Sequence, residues 1–206
     1  SAGAPPKRSS ATGMPTGCAS ISTTPWRAVL PEPSFRLTAP VFRAHNPFWS
    51  WDPASGEGAR RHGGRFNRRG LPALYTVTTP LGAILEASPG GRPLQPITLC
   101  EYRVDCADVV DATDPEVRGA LDIEDDDLAC PDWRATMLAG GIPRSQALAD
   151  RLVALGFAGL RVPSFAPRAS ADCVNVVFWR WGPELPHLVH VVDDENRLPP
   201  GPIARH

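Results

Sequence analysis

The stretch Gly63-Gly64-Arg65-Phe66-Asn67-Arg68-Arg69-Gly70-Leu71-Pro72-Ala73-Leu74-Tyr75-Thr76-Val77 constrains this 206-residue chain more than any other. Adjacent glycines let a backbone turn tightly and come close to a ligand. The run Ala73–Thr78 that follows has the branched and aromatic composition of a strand. Arg65 therefore sits on a glycine-rich loop ten residues before Tyr75, and Glu86 follows eleven residues later. A cation, an aromatic ring and a carboxylate that can converge on one cleft suit a ligand that is anionic, planar and sugar-containing. A dinucleotide such as NAD is a ligand of that kind.

Each part also has a plainer reading. Gly56, Gly58, Gly63 and Gly64, interleaved with Arg60, Arg61 and Arg65, describe a basic hairpin as well as a phosphate-binding loop. The segment is neither a P-loop nor a G-x-G-x-x-G opening a helix. On a strand, Tyr75 faces opposite to Leu74 and Thr76, so it lines a cleft or fills core. Thr79-Pro80 is an N-cap followed by proline at the first helical position, predicting a short helix through Leu85 and Glu86. On that helix Leu81, Ile84, Leu85 and Ser88 share a face and Glu86 lies off it, as a solvated carboxylate would. Ser164 follows a strand and a proline, where its hydroxyl can be offered to a cleft. A serine-hydrolase reading has no G-x-S-x-G elbow and would need His45 or His62 as base.

Composition closes other routes. With 42% apolar and 21% charged residues the chain reads as an ordinary soluble globular domain. Its net charge of −1 and lack of a basic recognition helix argue against nucleic-acid binding. No apolar run approaches the roughly 20 residues needed to span a bilayer. Cys18, Cys100, Cys106, Cys130 and Cys173 are odd in number and lack C-x-x-C spacing, which predicts reduced thiols and a cytoplasmic protein. The five histidines form no metal-ligand pattern, so no metal is expected. The acidic run Asp122–Asp127 lacks the alternation and central glycine of a calcium loop and reads as a solvated loop or helix N-terminus.

Residues 1–25 are almost wholly Ser, Ala, Gly, Pro and Thr and read as a disordered tail, with Ser1 a processed or tagged end. The globular domain is expected from Trp26 to Pro199, with 200–206 as a C-terminal tail. Strands are predicted at Val41–Ala44, Ala73–Thr78, Ile97–Val104, Ala158–Val162, Val174–Trp181 and Leu188–Val192. Ser145 can cap a helix in which Leu148, Leu152 and Leu155 recur, with Gly156 as the stop. Strands and helices do not alternate strictly, so the fold class is α+β around a bent, mixed or antiparallel sheet, as a single domain.

Taken in order, these pieces resemble the RES-domain family of bacterial toxin–antitoxin systems. The resemblance rests on Ser55-Gly56-Glu57-Gly58-Ala59, Gly63-Gly64-Arg65-Phe66-Asn67, Gly70-Leu71-Pro72-Ala73-Leu74-Tyr75 and Glu86. It continues through Asp132-Trp133, Ser145-Gln146, Val162-Pro163-Ser164, Asn175 and Leu198-Pro199. Phe66 stands where the family more often has Trp, which keeps an aromatic filler.

The resemblance implies an ADP-ribosyltransferase-like split sheet holding NAD as substrate, and cleavage of the nicotinamide–ribose bond. It implies catalytic roles for Glu86, Tyr75, Arg65 and Ser164. Glu86 would stabilise the charged ribose, Tyr75 would stack on nicotinamide, and Ser164 would position the ribose or orient Glu86. Arg65 and Arg43 would hold the pyrophosphate, with Asn67, Gly64 and Asn175 also at the binding site. Water, inorganic phosphate or a protein side chain could take the ADP-ribose, and Arg60, Arg61 and Arg168 could hold a phosphate. Depletion of NAD is the first expectation, modification of a protein target the second and a catalytically silent binding module the third. A helix-turn-helix antitoxin is the implied partner.

Overall fold

The structure is a computed structural model that describes residues 33–88, 93–166 and 172–202, with residues 1, 3 and 170. The tail expected at 1–25 (those two residues apart), the domain start at Trp26, Cys18, Arg168 and the last four residues lie outside the described residues.

Among the described residues seven strands form one sheet. They are β1 (Phe35–Leu37), β2 (Val41–His45), β3 (Leu74–Val77), β4 (Thr98–Asp111), β5 (Gly159–Pro163), β6 (Val174–Phe178) and β7 (His187–Val191). The 14-residue β4 is the axis. Cys100 opposes Arg43 of β2, Val104 opposes Val189 of β7, and Val109 opposes Phe35 of β1. Its far end runs parallel to β5, with Val110 beside Leu160. The path β4–β2–β3–β6–β5 thus returns to β4, and the sheet bends round on itself. Every pairing except β4–β5 is antiparallel, the mixed α+β arrangement that the sequence predicts.

Period-two alternation divides the interior. Val176 and Phe178 face a core with Leu74, Tyr102 and Val109, while Val177 faces a second core with Phe66, Ala73, Leu148 and Leu152. Burial of each such aliphatic side chain contributes about 1.5–3 kcal/mol.

Six α-helices flank the sheet among the described residues: α1 (Glu57–His62), α2 (Pro80–Ala87), α3 (Pro115–Ala120), α4 (Asp125–Ala129), α5 (Trp133–Leu138) and α6 (Arg144–Ala154). The hairpin expected around Gly56 and Gly58 is instead helix α1. Glu57 in its first turn pairs with Arg60 at 2.6 Å and also with Arg61, which stabilises a helix despite the glycine at 58. The acidic run forms the start of α4, where the Glu124 amide donates to Asp127 Oδ2 at 3.0 Å.

Helix α6 ends as predicted. Gly156 has φ 92°, and the amides of Gly156 and Phe157 donate to Val153 (3.0 Å) and Leu152 (3.1 Å). Its start and its buried face differ from expectation. Pro143 is the N-cap, Ser145 is buried inside the first turn, and Leu155 is 43% exposed. Ser145, Gln146 and Ala149 face inward because this helix packs against a loop that offers carbonyls as well as apolar surface. No described helix is long and apolar enough to cross a membrane.

Candidate active site

Helix α2 brings Glu86 over the sheet. The Thr79 hydroxyl accepts from the Gly82 amide at 3.1 Å and starts the helix. The face turned to the sheet is Gly82–Ala83, and Leu81 is 65% exposed. A Cβ on Gly82 would run into the Cys173 sulfur and lie 2.8 Å from Thr79 Oγ1. Close approach selects the small residues for the inward face, not the leucines that periodicity favours. Glu86, three and four residues after that pair, shares their side of the helix. Glu86 is exposed, as its off-face position predicts, yet it is tied to the protein as well as solvated.

Two donors from distant strands meet that carboxylate. Asn175 Nδ2 of β6 donates to Glu86 Oε1 at 2.9 Å, and the Ser164 hydroxyl, just past β5, donates to the same oxygen at 3.1 Å. Oε2 has no hydrogen-bond donor among the described residues. The Ser164 oxygen also accepts from the Ala166 amide at 3.2 Å, which fixes the hydroxyl. Asn175 Oδ1 is buried without a partner.

Tyr75, on β3, is held at its hydroxyl, which accepts from the Phe66 amide at 2.9 Å and donates to Asn67 Oδ1 at 2.8 Å. Burial pushes this phenol above its usual range, so it stays protonated. Asn67 is fully buried, and its Nδ2 donates to the carbonyls of Ala59, Arg68 and Leu71. It fixes the loop and Tyr75; the structure does not bring it to the cleft, because its amide is consumed by backbone. Gly64 does line the cleft, and a Cβ there would run into the Tyr75 hydroxyl and lie 2.7 Å from Asn67 Oδ1.

Arg65 is half-buried, with Nη1 donating to the Ala129 carbonyl and its guanidinium 4.8 Å from the Phe165 ring centroid. Arg43 Nη1 donates to the carbonyls of Pro53 (2.8 Å) and Ser55 (3.2 Å). Arg43, Arg65, Tyr75, Glu86 and Asn175 all line one open cleft of about 700 Å³, within the ordinary size of small-molecule sites. Ser164 reaches it through Glu86. Arg60 and Arg61 do not line this cleft: they are paired with Glu57. A smaller cavity of about 190 Å³ shares Arg43 and Gly58 with it and is lined by His45, Trp49 and Asp52.

Sequence reasoning gave no role to Gln146. This residue of α6 is 2% exposed, and its Nε2 donates to the carbonyls of Gly64 (2.8 Å) and Asn67 (3.1 Å), clamping the glycine loop. A polar side chain on the buried face of an amphipathic helix was the available signal.

A bent α+β sheet thus carries a fixed carboxylate, an aromatic ring and two arginines along one cleft. The chain belongs to the RES domain family, whose model matches residues 40–199. Its relatives include the NAD(+) phosphorylase MbcT of Mycobacterium bovis (strain ATCC BAA-935 / AF2122/97), 33% identical over 99 residues, 43% of this chain and 53% of that protein. The NAD(+) phosphorylase MbcT of Mycobacterium tuberculosis (strain ATCC 25618 / H37Rv) matches with the same identity and coverage. The chain spans about half the length of the curated relatives it matches.

Proposed function

We propose that this chain binds NAD in the cleft and cleaves its nicotinamide–ribose bond, passing ADP-ribose to inorganic phosphate. The observation that carries this reading is the Glu86 carboxylate, fixed on one oxygen by Asn175 and Ser164 and open on the other. The relatives named NAD(+) phosphorylase favour phosphate over water as acceptor. When the bond from ribose C1″ to the ring nitrogen breaks, its electron pair neutralises the pyridinium, so nicotinamide leaves without a strong acid. A protonated Tyr75 suits that route, since its ring is offered for stacking and its hydroxyl is occupied.

The ribose left behind resembles the oxocarbenium ion of glycoside hydrolysis. Glu86 stabilises that charge and accepts from the ribose hydroxyls through Oε2. A phosphate oxygen then bonds to C1″, giving ADP-ribose 1″-phosphate and free nicotinamide. Phosphate attacks through an oxygen that carries no proton, so the site needs no general base for this acceptor. Arg65 and Arg43 bind the pyrophosphate by charge-assisted hydrogen bonds.

In a cell such turnover depletes NAD and arrests growth, the action of a cytoplasmic toxin restrained by a helix-turn-helix antitoxin. The test is to incubate the protein with NAD, with and without phosphate, and to follow nicotinamide and the mass of the ADP-ribose product. Phosphate-dependent release supports the reading. Release only with cell lysate, with label carried onto a protein, would replace it with mono-ADP-ribosyl transfer, and no release under any condition would sink both.

A further inference from the structure

Arg65 lines the cleft. Tyr75 and Glu86 line it too, and Arg65 Nη1 donates to the Ala129 carbonyl, four residues before Trp133. Beyond Ala129 the chain turns at Cys130, with φ 28°, and the wall continues as Pro131, Trp133 and Arg134. Helix α5, which carries Trp133, buries none of its six residues. An indole that is only partly buried, belongs to no core cluster and lines a ligand-sized cleft has a ring face available for a ligand. The Arg134 guanidinium lies over that ring, 5.1 Å from its centroid, so one face of the indole carries a cation and the other is left for a ligand. Purine bases stack on such surfaces.

We infer that Trp133, flanked by Arg134, is the platform for the adenine end of the dinucleotide. This rests on the NAD reading above. The ligand would then run from nicotinamide riboside at Glu86 and Tyr75, past its pyrophosphate at Arg65, to adenosine at Trp133. The platform makes the protein prefer the whole dinucleotide to its nicotinamide mononucleotide half. The competing place for the base is the smaller cavity under Trp49.

The test measures KM and kcat for NAD, and inhibition and direct binding constants for ADP-ribose and nicotinamide mononucleotide. Wild type, Trp133→Ala, Trp133→Phe and Trp49→Ala are compared. Trp133→Ala is expected to weaken NAD and ADP-ribose roughly tenfold, the low end of what base–aromatic stacking contributes, with kcat changed less than about twofold. Nicotinamide mononucleotide should bind as before, and Trp133→Phe should restore most of the loss. Unchanged ADP-ribose binding, equal weakening of both ligands, or a loss confined to Trp49→Ala would overturn the inference. If wild type released no nicotinamide, the NAD-cleaving reading would fail, while direct ADP-ribose titration would still decide for or against the platform.

Discussion

Asn175 donates its side-chain amide to Glu86 Oε1 at 2.9 Å across 89 residues of sequence, tying a central strand to the helix that carries the carboxylate. The bond leaves the negative charge intact and aims it. Glu86→Gln keeps the size and the acceptor and removes only the charge. Nicotinamide release is expected to fall about 10²- to 10³-fold, the usual loss when a preorganised electrostatic stabiliser is removed. The melting temperature should stay at the wild-type value; release at the wild-type rate would remove Glu86 from the site.

Asn175→Ala and Ser164→Ala each delete one donor to the same oxygen. Each is expected to lower kcat about tenfold, because a charge-assisted hydrogen bond contributes roughly 1.5–3 kcal/mol. If both act by aiming Glu86, neither should cost anything further in the Glu86→Gln background. A double-mutant cycle measures this directly, and full additivity would show that the two side chains act independently of the carboxylate.

The parts of this site legible in the sequence were those whose local chemistry is self-contained. Thr79-Pro80 announced the start of α2, Gly156 the end of α6, and β-branched runs announced β2, β3 and β6. What escaped depended on partners far along the chain. The inward face of α2 is set by how closely Gly82 approaches Cys173, so the leucines mislead; Glu86 is exposed, and only the fold reveals that Asn175 and Ser164 hold it. Helix α1 is hidden by two glycines: Gly56 is its N-cap, and the Glu57–Arg60 and Glu57–Arg61 pairs offset part of the cost of Gly58 inside it. Strand β4 runs on past Val104, where the predicted strand ends, to Asp111. Asn67 looked like a ligand residue, because only the fold reveals that backbone carbonyls take its amide.

Two glycines of the same motif should respond oppositely to alanine. At Gly64 a Cβ would lie 2.7 Å from Asn67 Oδ1 and against the Tyr75 hydroxyl, whereas at Gly58 it would meet nothing within 4 Å. Gly64→Ala is expected to displace Tyr75 and destabilise by about 1–3 kcal/mol, as overpacking does. Gly58→Ala should stabilise α1 by up to about 0.5–1 kcal/mol. Thermal melts decide, and a wild-type melting temperature for Gly64→Ala would refute the close packing.

His45 gives acid sensitivity a defined window. Burial, with Arg43 nearby, lowers its pKa from 6.5 to about 4, and neither ring nitrogen has a hydrogen-bond partner. The fold therefore favours the neutral ring, whereas the unfolded chain takes up a proton below about pH 6.5. Its contribution is fully present above pH 6.5 and is lost as pH falls toward 4. The ring is only half-buried, so the loss is on the order of 1–2 kcal/mol. Denaturant melts of wild type and His45→Phe should diverge in that window, with the variant flatter; parallel curves would dismiss His45 as the cause.

The Gln146 clamp separates loop geometry from chemistry. Its Nε2 reaches the carbonyls of Gly64 and Asn67, the two ends of a bridge that brackets Arg65 and Phe66. Gln146→Leu preserves volume on the buried face of α6 but leaves the Gly64 carbonyl without that donor. The Asn67 amide still donates to that carbonyl at a long 3.5 Å, so the loss is on the order of 1 kcal/mol and the loop relieves it by turning the carbonyl. Such a turn moves Arg65, which follows directly in the chain, so pyrophosphate binding should suffer before the bond-breaking step does. Gln146→Leu is expected to raise KM for NAD several-fold, with kcat near wild type and a lower melting temperature. Gln146→Glu should be worse on both counts, because a carboxylate placed against two carbonyl oxygens repels them unless it takes a proton. A loss of kcat at unchanged KM in Gln146→Leu would mean that the clamp positions Tyr75, through Asn67, more than it positions Arg65.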